Sequence, residues 1–289
     1  SKEIATQLRG RSLSFMLLPF SFREFLNLKQ ITLERYRSRD EEAKIKNFLR
    51  SYMEYGGFPD VIKNDEKLKI LREYSDLILF RDFVERHKIR NIDLARMIHT
   101  FMIQNHSKEI SVRSLYGKLK SSTKVGKDTV YDYVTKLEDT MFFFFLRRYA
   151  IKVHLRESWP KKIYLCDTGL TKIARYSQDH GRLMENIVLL DLIRKKNENP
   201  LVEFFYLKFA DSEIDFLLKE GTTIKQLIQV TYASGKDEID KREIKSLIKA
   251  SNELNCKDLL IITWDYEDEI RKNNKIIRCI PLWKWLLSS

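Results

Sequence analysis

Apolar residues recur at two different periods along this 289-residue chain, and the change of period divides it. From Lys67 to His87, Leu68, Leu71, Tyr74, Leu77, Ile78 and Phe83 keep helical spacing. Before them, Phe48, Leu49 and Tyr52 form the apolar side of a helix whose other side, from Arg35 to Arg50, is charged. Gly56-Gly57-Phe58-Pro59 stops that helix. The region from Ile31 to Ile89 therefore reads as wholly helical. Asp76, Arg81, Asp82, Glu85 and Arg86 stand at separations that predict structural ion pairs rather than a catalytic site.

From Ile92 to Gln104, Leu94, Ile98, Phe101 and Met102 predict another helix, and Ser111 caps a further one carrying Leu115 and Leu119. A turn rich in Ser, Thr, Lys and Gly, Ser121 to Gly126, precedes a helix with Val130, Tyr133, Val134 and Leu137. Strands are expected at Phe142 to Leu146 and Lys162 to Leu165. Helix, helix, turn, helix, strand, strand is the element order of a winged helix, whose last helix enters the major groove by its N-terminal end. Lys124, Lys127, Asp128, Thr129 and Tyr131 stand at that end. The basic connection Arg147, Arg148, Lys152, His154, Arg156, Lys161 and Lys162 is expected to act as a wing touching phosphates. The alternatives are ordinary: Lys-rich turns are commonly just solvated, and winged helices also pack proteins together.

Beyond residue 180 the pattern changes to an α/β layer. A helix is expected from Gly181 to Lys196, with Leu183, Ile187, Leu190 and Ile193 at helical spacing. Strands are expected at Val202 to Leu207, around Asp215, Ile224 to Thr231, Asp258 to Thr263 and Lys275 to Ile280, with a helix from Lys236 to Asn255. In the Asp215 strand, Ile214, Phe216 and Leu218 alternate with Glu213, Asp215 and Leu217. Gly221 turns the chain, and the returning strand brings Gln229 beside Asp215. The final Pro281-Leu282-Trp283-Lys284-Trp285 starts a helix whose tryptophans are expected in a core. The fold class is mixed α+β: helical N-terminal region, winged helix, then a C-terminal α/β domain with a mixed sheet.

Glu185 on an apolar helix, Asp215 in Glu213-Ile-Asp-Phe216, and Gln229-Val-Thr231 have the order of a metal-dependent nuclease core. Phosphodiester hydrolysis with Mg²⁺ needs hard oxygen ligands converging on one point and a cation beside them. This arrangement resembles the restriction-endonuclease-like superfamily, whose pattern is a helix Glu, a strand Asp, and an acid or Gln two positions before a Lys. Thr231 stands where the Lys belongs, and an uncharged side chain cannot take over its electrostatic role. Either the fold serves another use, or a lysine arrives from elsewhere, with Lys225, Lys241 and Lys245 as candidates. Glu185 and Asp215 are the expected Mg²⁺ ligands if one binds. Taken singly, Asp215 also reads as a solvated strand residue, Glu185 as a surface residue and Gln229 as a paired polar group.

A second resemblance runs along the whole chain. Arg9-Gly10-Arg11, Leu18-Pro19-Phe20-Ser21-Phe22-Arg23-Glu24-Phe25, Tyr55-Gly56-Gly57-Phe58-Pro59 and Leu79-Phe80-Arg81-Asp82 are similar to successive landmarks of archaeal AAA-type ATPases carrying a C-terminal domain of unknown function. Lys161-Lys162-Ile163-Tyr164, Asp167-Thr168-Gly169-Leu170, Leu259 to Glu267 and Ile280 to Leu287 fit the same family. The resemblance implies that residues 1–30 are the tail of an ATPase module, 31–91 a helical lid or linker, 92–170 a winged helix and 171–289 a restriction-endonuclease-like domain. It also offers Arg9 or Arg11 as the arginine sensing a γ-phosphate, against the plainer reading of an exposed helix-end arginine. No Gly-x-x-x-x-Gly-Lys-Ser/Thr string occurs, so no ATP is expected to bind here. The resemblance implies an intact parent, a possible homo-oligomer, that holds ATP and Mg²⁺ and of which this chain is expected to be a fragment.

Net charge sharpens the choice of partner without deciding it. The formal charge is +12 and the pI near 9.4, which attracts phosphate backbones without sequence preference. Cys166, Cys256 and Cys279 make neither a disulfide frame nor a zinc pattern, and the five histidines show no ligand spacing. No apolar run is long enough to span a membrane, and a cytoplasmic location is expected. Three readings follow: a DNA-binding, nuclease-like but catalytically degenerate part of an ATPase; an active Mg²⁺-dependent nuclease with a relocated lysine; and a protein-interaction module of the ATPase.

Overall fold

The computed structural model describes residues 15–31, 38–121, 123–152, 156, 159–174, 179–210 and 212–288. Arg9, Arg11 and His154 lie outside the described residues. The helical start consists of α1 (Phe22–Leu28), α2 (Arg39–Tyr55), α3 (Pro59–Lys63) and α4 (Lys67–Leu77). Ser21 with Glu24, and Ser38 with Glu41, form reciprocal capping boxes that satisfy orphan amides at the first turns of α1 and α2. The expected single helix from Lys67 to His87 instead passes into a π-helical segment, Ile78–Glu85. A wider helix shifts side chains off i,i+4 spacing, and none of the described ion pairs joins Asp76, Arg81, Asp82, Glu85 and Arg86 to one another.

The winged-helix order is present with one strand more than expected. It runs α5 (Ile92–Gln104), β1 (Lys108–Ile110), α6 (Val112–Leu119), α7 (Lys127–Glu138), β2 (Phe143–Leu146) and β3 (Lys161–Leu165), the strands forming an antiparallel sheet in the order β1-β3-β2. Next comes α8 (His180–Glu198), in which every residue from Leu183 to Leu192 is buried. A helix buried all round lies inside the protein rather than on one surface.

The C-terminal part contains β4 (Val202–Lys208), β5 (Glu213–Glu220), β6 (Thr223–Val230), α9 (Lys241–Leu254), β7 (Leu259–Thr263), β8 (Asp268–Lys272), β9 (Lys275–Pro281) and α10 (Leu282–Leu287). The six strands form one mixed sheet in the order β4-β5-β6-β7-β9-β8, parallel at β6–β7 and β7–β9 and antiparallel elsewhere. Strand β8 was not expected, and helix α9 starts five residues later than expected, after a short 3-10 turn. The simple alternation expected in β5 is also corrected: Ile214 and Leu217 belong to the core beneath α9, whereas Phe216 belongs to the core around α8. Trp283 and Trp285 are buried as expected.

These parts share cores rather than hanging on linkers. Leu146 and Tyr164 of the winged helix sit in one cluster with Phe22, Tyr52, Leu183, Phe216 and Trp283. The buried Asn186 amide of α8 accepts from the Leu165 N–H at 2.8 Å and donates to the Leu165 carbonyl at 2.9 Å, closing both groups of β3. A second joint lies at Asp167, just after β3. Its carboxylate accepts from the Gly57 N–H at 2.6 Å and the Gly169 N–H at 2.8 Å, so the end of α2 is docked on the end of β3.

Glycine is required at that joint. Gly56 has φ +79°, and a Cβ on it would stand 1.6 Å from Asp167 Oδ1. Gly117, in contrast, sits in α6 with open space around it. Gly56→Ala is therefore expected to destabilise the chain by about 3 kcal/mol or more. Gly117→Ala is expected to stabilise it by about 0.5–1 kcal/mol. Chemical denaturation monitored by circular dichroism compares the two, and a Gly56→Ala variant as stable as the parent contradicts this docking.

Candidate active site

The carboxylates singled out in the sequence come together, and the cation among them is one assigned elsewhere. Lys162 leaves β3 with a 1% exposed side chain and places Nζ 2.9 Å from Glu185 Oε1, 2.8 Å from Glu213 Oε1 and 3.0 Å from Asp215 Oδ1. Each partner is placed by a different constraint. Glu185 projects from α8 and also accepts from the Tyr164 hydroxyl at 2.6 Å. Tyr164 and Lys162 lie two residues apart on β3, so the strand's period presents both to α8. Asp215, on β5, turns its other oxygen to the Val230 N–H at 2.9 Å, which fixes the carboxylate against the end of β6.

Lys162 was expected among the phosphate-touching residues of a wing. That placement is corrected: an ammonium held by buried carboxylates is closed to phosphate. The proposed substitutes for the missing lysine are corrected too. Lys225 stands at the other end of β6, paired with Glu220 at 3.0 Å, and Lys241 and Lys245 are exposed on α9. Thr231 follows β6 with its N–H on the Ile262 carbonyl at 2.9 Å, and its side chain lies beside Glu243 of α9. Gln229 is buried and its Oε1 has no hydrogen-bond partner among the described residues.

Electrostatics in the cluster is a contest between burial and pairing. Burial works against the Lys162 charge, but Glu185 and Asp215 outweigh it and hold the ammonium well above the ordinary lysine range. Burial pushes Glu185 up to about 7, opposed by Lys162 and reinforced by Asp215. Asp215 is raised for the same reason, again opposed by Lys162. Glu243 is pushed up to about 7 by burial and by the Asp215 charge. Tyr164, buried against Glu185, is kept firmly protonated and so remains a donor.

Glu185 and Asp215 are the carboxylates a Mg²⁺ ion would need, yet the point where they converge is taken by Nζ. Mg²⁺ binds oxygen at about 2.0–2.1 Å and tolerates no ammonium in that position. Among the described residues, no group of His, Cys, Asp and Glu side chains has metal-holding geometry. The residues as arranged do not fit the metal. What they do form is an ion cluster, one ammonium shared among three carboxylates from α8 and β5.

The remaining expected sites separate into two groups. Lys124 and Lys127 are exposed and Thr129 half-buried at the start of α7, and Lys152 is exposed. Arg148 instead donates to the Lys208 carbonyl at 2.8 Å, and Arg156 to the Ala150 carbonyl at 2.6 Å while its guanidinium lies over Phe205. Lys161 lies 3.6 Å from Glu138, and Arg147 is half-buried, its carbonyl accepting from the Tyr206 N–H at 3.0 Å. Much of the expected basic wing is thus turned inward onto β4. Among the described residues, no helix is long and apolar enough to cross a membrane.

Comparison with known proteins divides the chain between residues 178 and 180. Residues 46–178 match a family described as Domain of unknown function (DUF8612), and residues 180–285 one described as Domain of unknown function (DUF4143). The chain is 36% identical over 301 residues to an uncharacterized protein of Methanocaldococcus jannaschii, covering 100% of this chain and 66% of that protein. It is 26% identical over 293 residues to an uncharacterized protein of Haemophilus influenzae, covering 99% of this chain and 68% of that one. The chain thus spans about two thirds of the length of these relatives. No solved structure matches. Lys162 and Tyr164 fall within the first family match, and Glu185, Glu213 and Asp215 within the second, so the ion cluster is built across both.

Proposed function

We propose that this chain is a nucleic-acid-binding, nuclease-like part of a larger ATPase-type protein, and that its nuclease-like site no longer cleaves. The observation that carries this reading is the Lys162 ammonium at the point where Glu185 and Asp215 converge. In that position the acidic site holds the winged helix to the C-terminal sheet instead of holding a metal. The formal charge of +12 supports a phosphate-bearing partner. The ATPase setting rests on the resemblance along the chain, and ATP and Mg²⁺ belong to the segment of the parent that supplies the phosphate loop. Coupling follows mechanically: helices α1 and α2 share a core with α8 and β5, so a displacement at the N-terminal end reaches the nucleic-acid-binding part without a flexible joint.

A second reading draws on the same contact. With Nζ 3.0 Å from Asp215, Lys162 is also where a relocated catalytic lysine would stand. Incubation of the purified chain with supercoiled plasmid in Mg²⁺ and in Mn²⁺ separates the two. Retarded but intact plasmid, with affinity falling steeply as salt rises, is the expected outcome. Nicking that disappears in both Asp215→Ala and Lys162→Ala makes the chain a working nuclease, and no retardation at low salt removes nucleic acid as the partner.

The cluster also has a stability signature. Lys162→Met leaves buried carboxylates facing each other without a cation, which is expected to cost about 3–5 kcal/mol at neutral pH. Their pKa values then rise further above those of the unfolded chain, so the folded variant is favoured at low pH and loses stability as pH rises through the folded values. The gap between parent and variant is therefore expected to narrow from pH 8 to pH 5 in denaturant titrations. A gap that is constant with pH contradicts the ion cluster.

A further inference from the structure

The winged helix carries a cleft lined in part by Lys161 and Ile163, which flank Lys162 along β3 but take no part in the ion cluster. Its volume is about 410 Å³, and it lies between α6, α7 and the three-stranded sheet. That is within the range that takes small organic ligands. Its apolar wall includes Met102, Leu115, Val134 and Ile163. Two larger aromatic side chains border it: Tyr131, 42% exposed, and Trp159, half-buried. Each already has a cation over its ring, Lys127 at 5.5 Å from the Tyr131 centroid and Arg148 at 4.3 Å from that of Trp159. Arg113, also on the cleft, is exposed, and the Ser111 and Thr135 hydroxyls lie along the lining.

The neighbouring helix surface argues against the usual way a winged helix reads duplex DNA. Asp128, Asp132 and Asp139 are exposed on or just after α7 and Glu138 is half-buried, while Lys136 is tied to Asp132 at 2.6 Å. Within α7 three carboxylates, Asp128, Asp132 and Glu138, stand against two lysines, Lys127 and Lys136, so the helix brings no net positive charge to the phosphate rows of a major groove. Aromatic rings beside cations on a concave surface suit a different form. An unpaired base offers a π face to stack, and its phosphate a charge for Arg or Lys, with no need to enter a groove.

Resting on the nucleic-acid reading above, we propose that this cleft binds an unpaired nucleotide of a single strand. The base stacks on Tyr131 and Trp159, and Arg113 and Lys127 take the phosphates. Ser111, Thr135 and Glu138 present polar atoms to the edge of the base. The preferred substrate of the chain is then single-stranded rather than duplex nucleic acid.

Fluorescence anisotropy tests this with a labelled oligothymidine of about 12 nucleotides, within the usual site size of single-strand binders, and a duplex of equal length. The single strand is expected to bind at least about tenfold more tightly than the duplex. Tyr131→Ala is expected to weaken single-strand binding about tenfold while leaving the duplex unaffected, and Tyr131→Phe to retain it. Trp159→Ala gives the same loss provided its circular dichroism spectrum matches the parent; the exposed Tyr131 keeps the test decisive if it does not. Equal binding of both probes with Tyr131→Ala unaltered overturns the cleft and leaves nucleic-acid binding standing. Binding of neither probe at low salt overturns both.

Discussion

An ammonium group taken out of water must find its compensation inside the protein, and here that requirement falls on Lys162. The idealised cost of moving such an ion into a low-dielectric interior is on the order of 20 kcal/mol, and several kcal/mol remain after relaxation. Carboxylates from α8 and β5 reach Nζ within 3.0 Å, and they can do so only if β3, α8 and β5 keep their mutual positions. Sliding the winged-helix sheet by one residue would replace Lys162 with Ile163 and leave Glu185 and Asp215 buried without a counter-charge. The cluster therefore sets the register between the two parts. Apolar contact alone, being non-directional, sets it far less sharply.

The same logic explains the uncharged joints around it. Asn186 satisfies both polar groups of Leu165, next but one to Ile163 on β3, so the strand edge facing α8 is closed by a side chain instead of another strand. Asp167 closes the next step by accepting from Gly57 and Gly169, and burial pushes its carboxyl up to about 7 while those N–H groups oppose the rise. Successive residues of one short segment, 162 to 167, thus bind the N-terminal helices, the winged helix and the C-terminal sheet. A segment used by every part has little freedom left to move independently.

What the sequence made legible follows from the range of each interaction. The β5–β6 pair, the apolar α8 and the buried tryptophans were readable because local period and a turn decide them. The Asn273-Asn274 pair, both at positive φ, carries the turn signal for the hairpin that adds β8, but the surrounding charges, Asp268 to Lys272, mask the strand. The role of Lys162 was hidden because its partners lie 23 and 53 residues away, and a Lys-Lys pair in a basic stretch reads as solvated. One signal was present. Lys162 shares strand parity with Tyr164 rather than with Ile163, so a buried hydroxyl and the ammonium had to face the same side and find polar partners there. Burial on both sides of β3 is a tertiary fact that alternation alone does not reveal.

Thr231 and Lys162 answer to one electrostatic constraint. A lysine at 231 would bring a second ammonium near Asp215, whose oxygens are already taken by Lys162 and by the Val230 N–H. With a small neutral residue there, the space beside the strand end falls to Glu243, which burial and the Asp215 charge push up to about 7. Among the described residues, its Oε2 and Gln229 Oε1 are buried acceptors without a hydrogen-bond partner. An acid at 229 in place of Gln would add a further buried negative charge to a site with one ammonium, raising the carboxyl pKa values still more. Gln at 229 and Thr at 231 therefore add no further charge to a cluster in which one ammonium from β3 already faces three carboxylates. With its ammonium supplied from β3 and none from β6, the acidic pocket joins the winged helix to the C-terminal sheet.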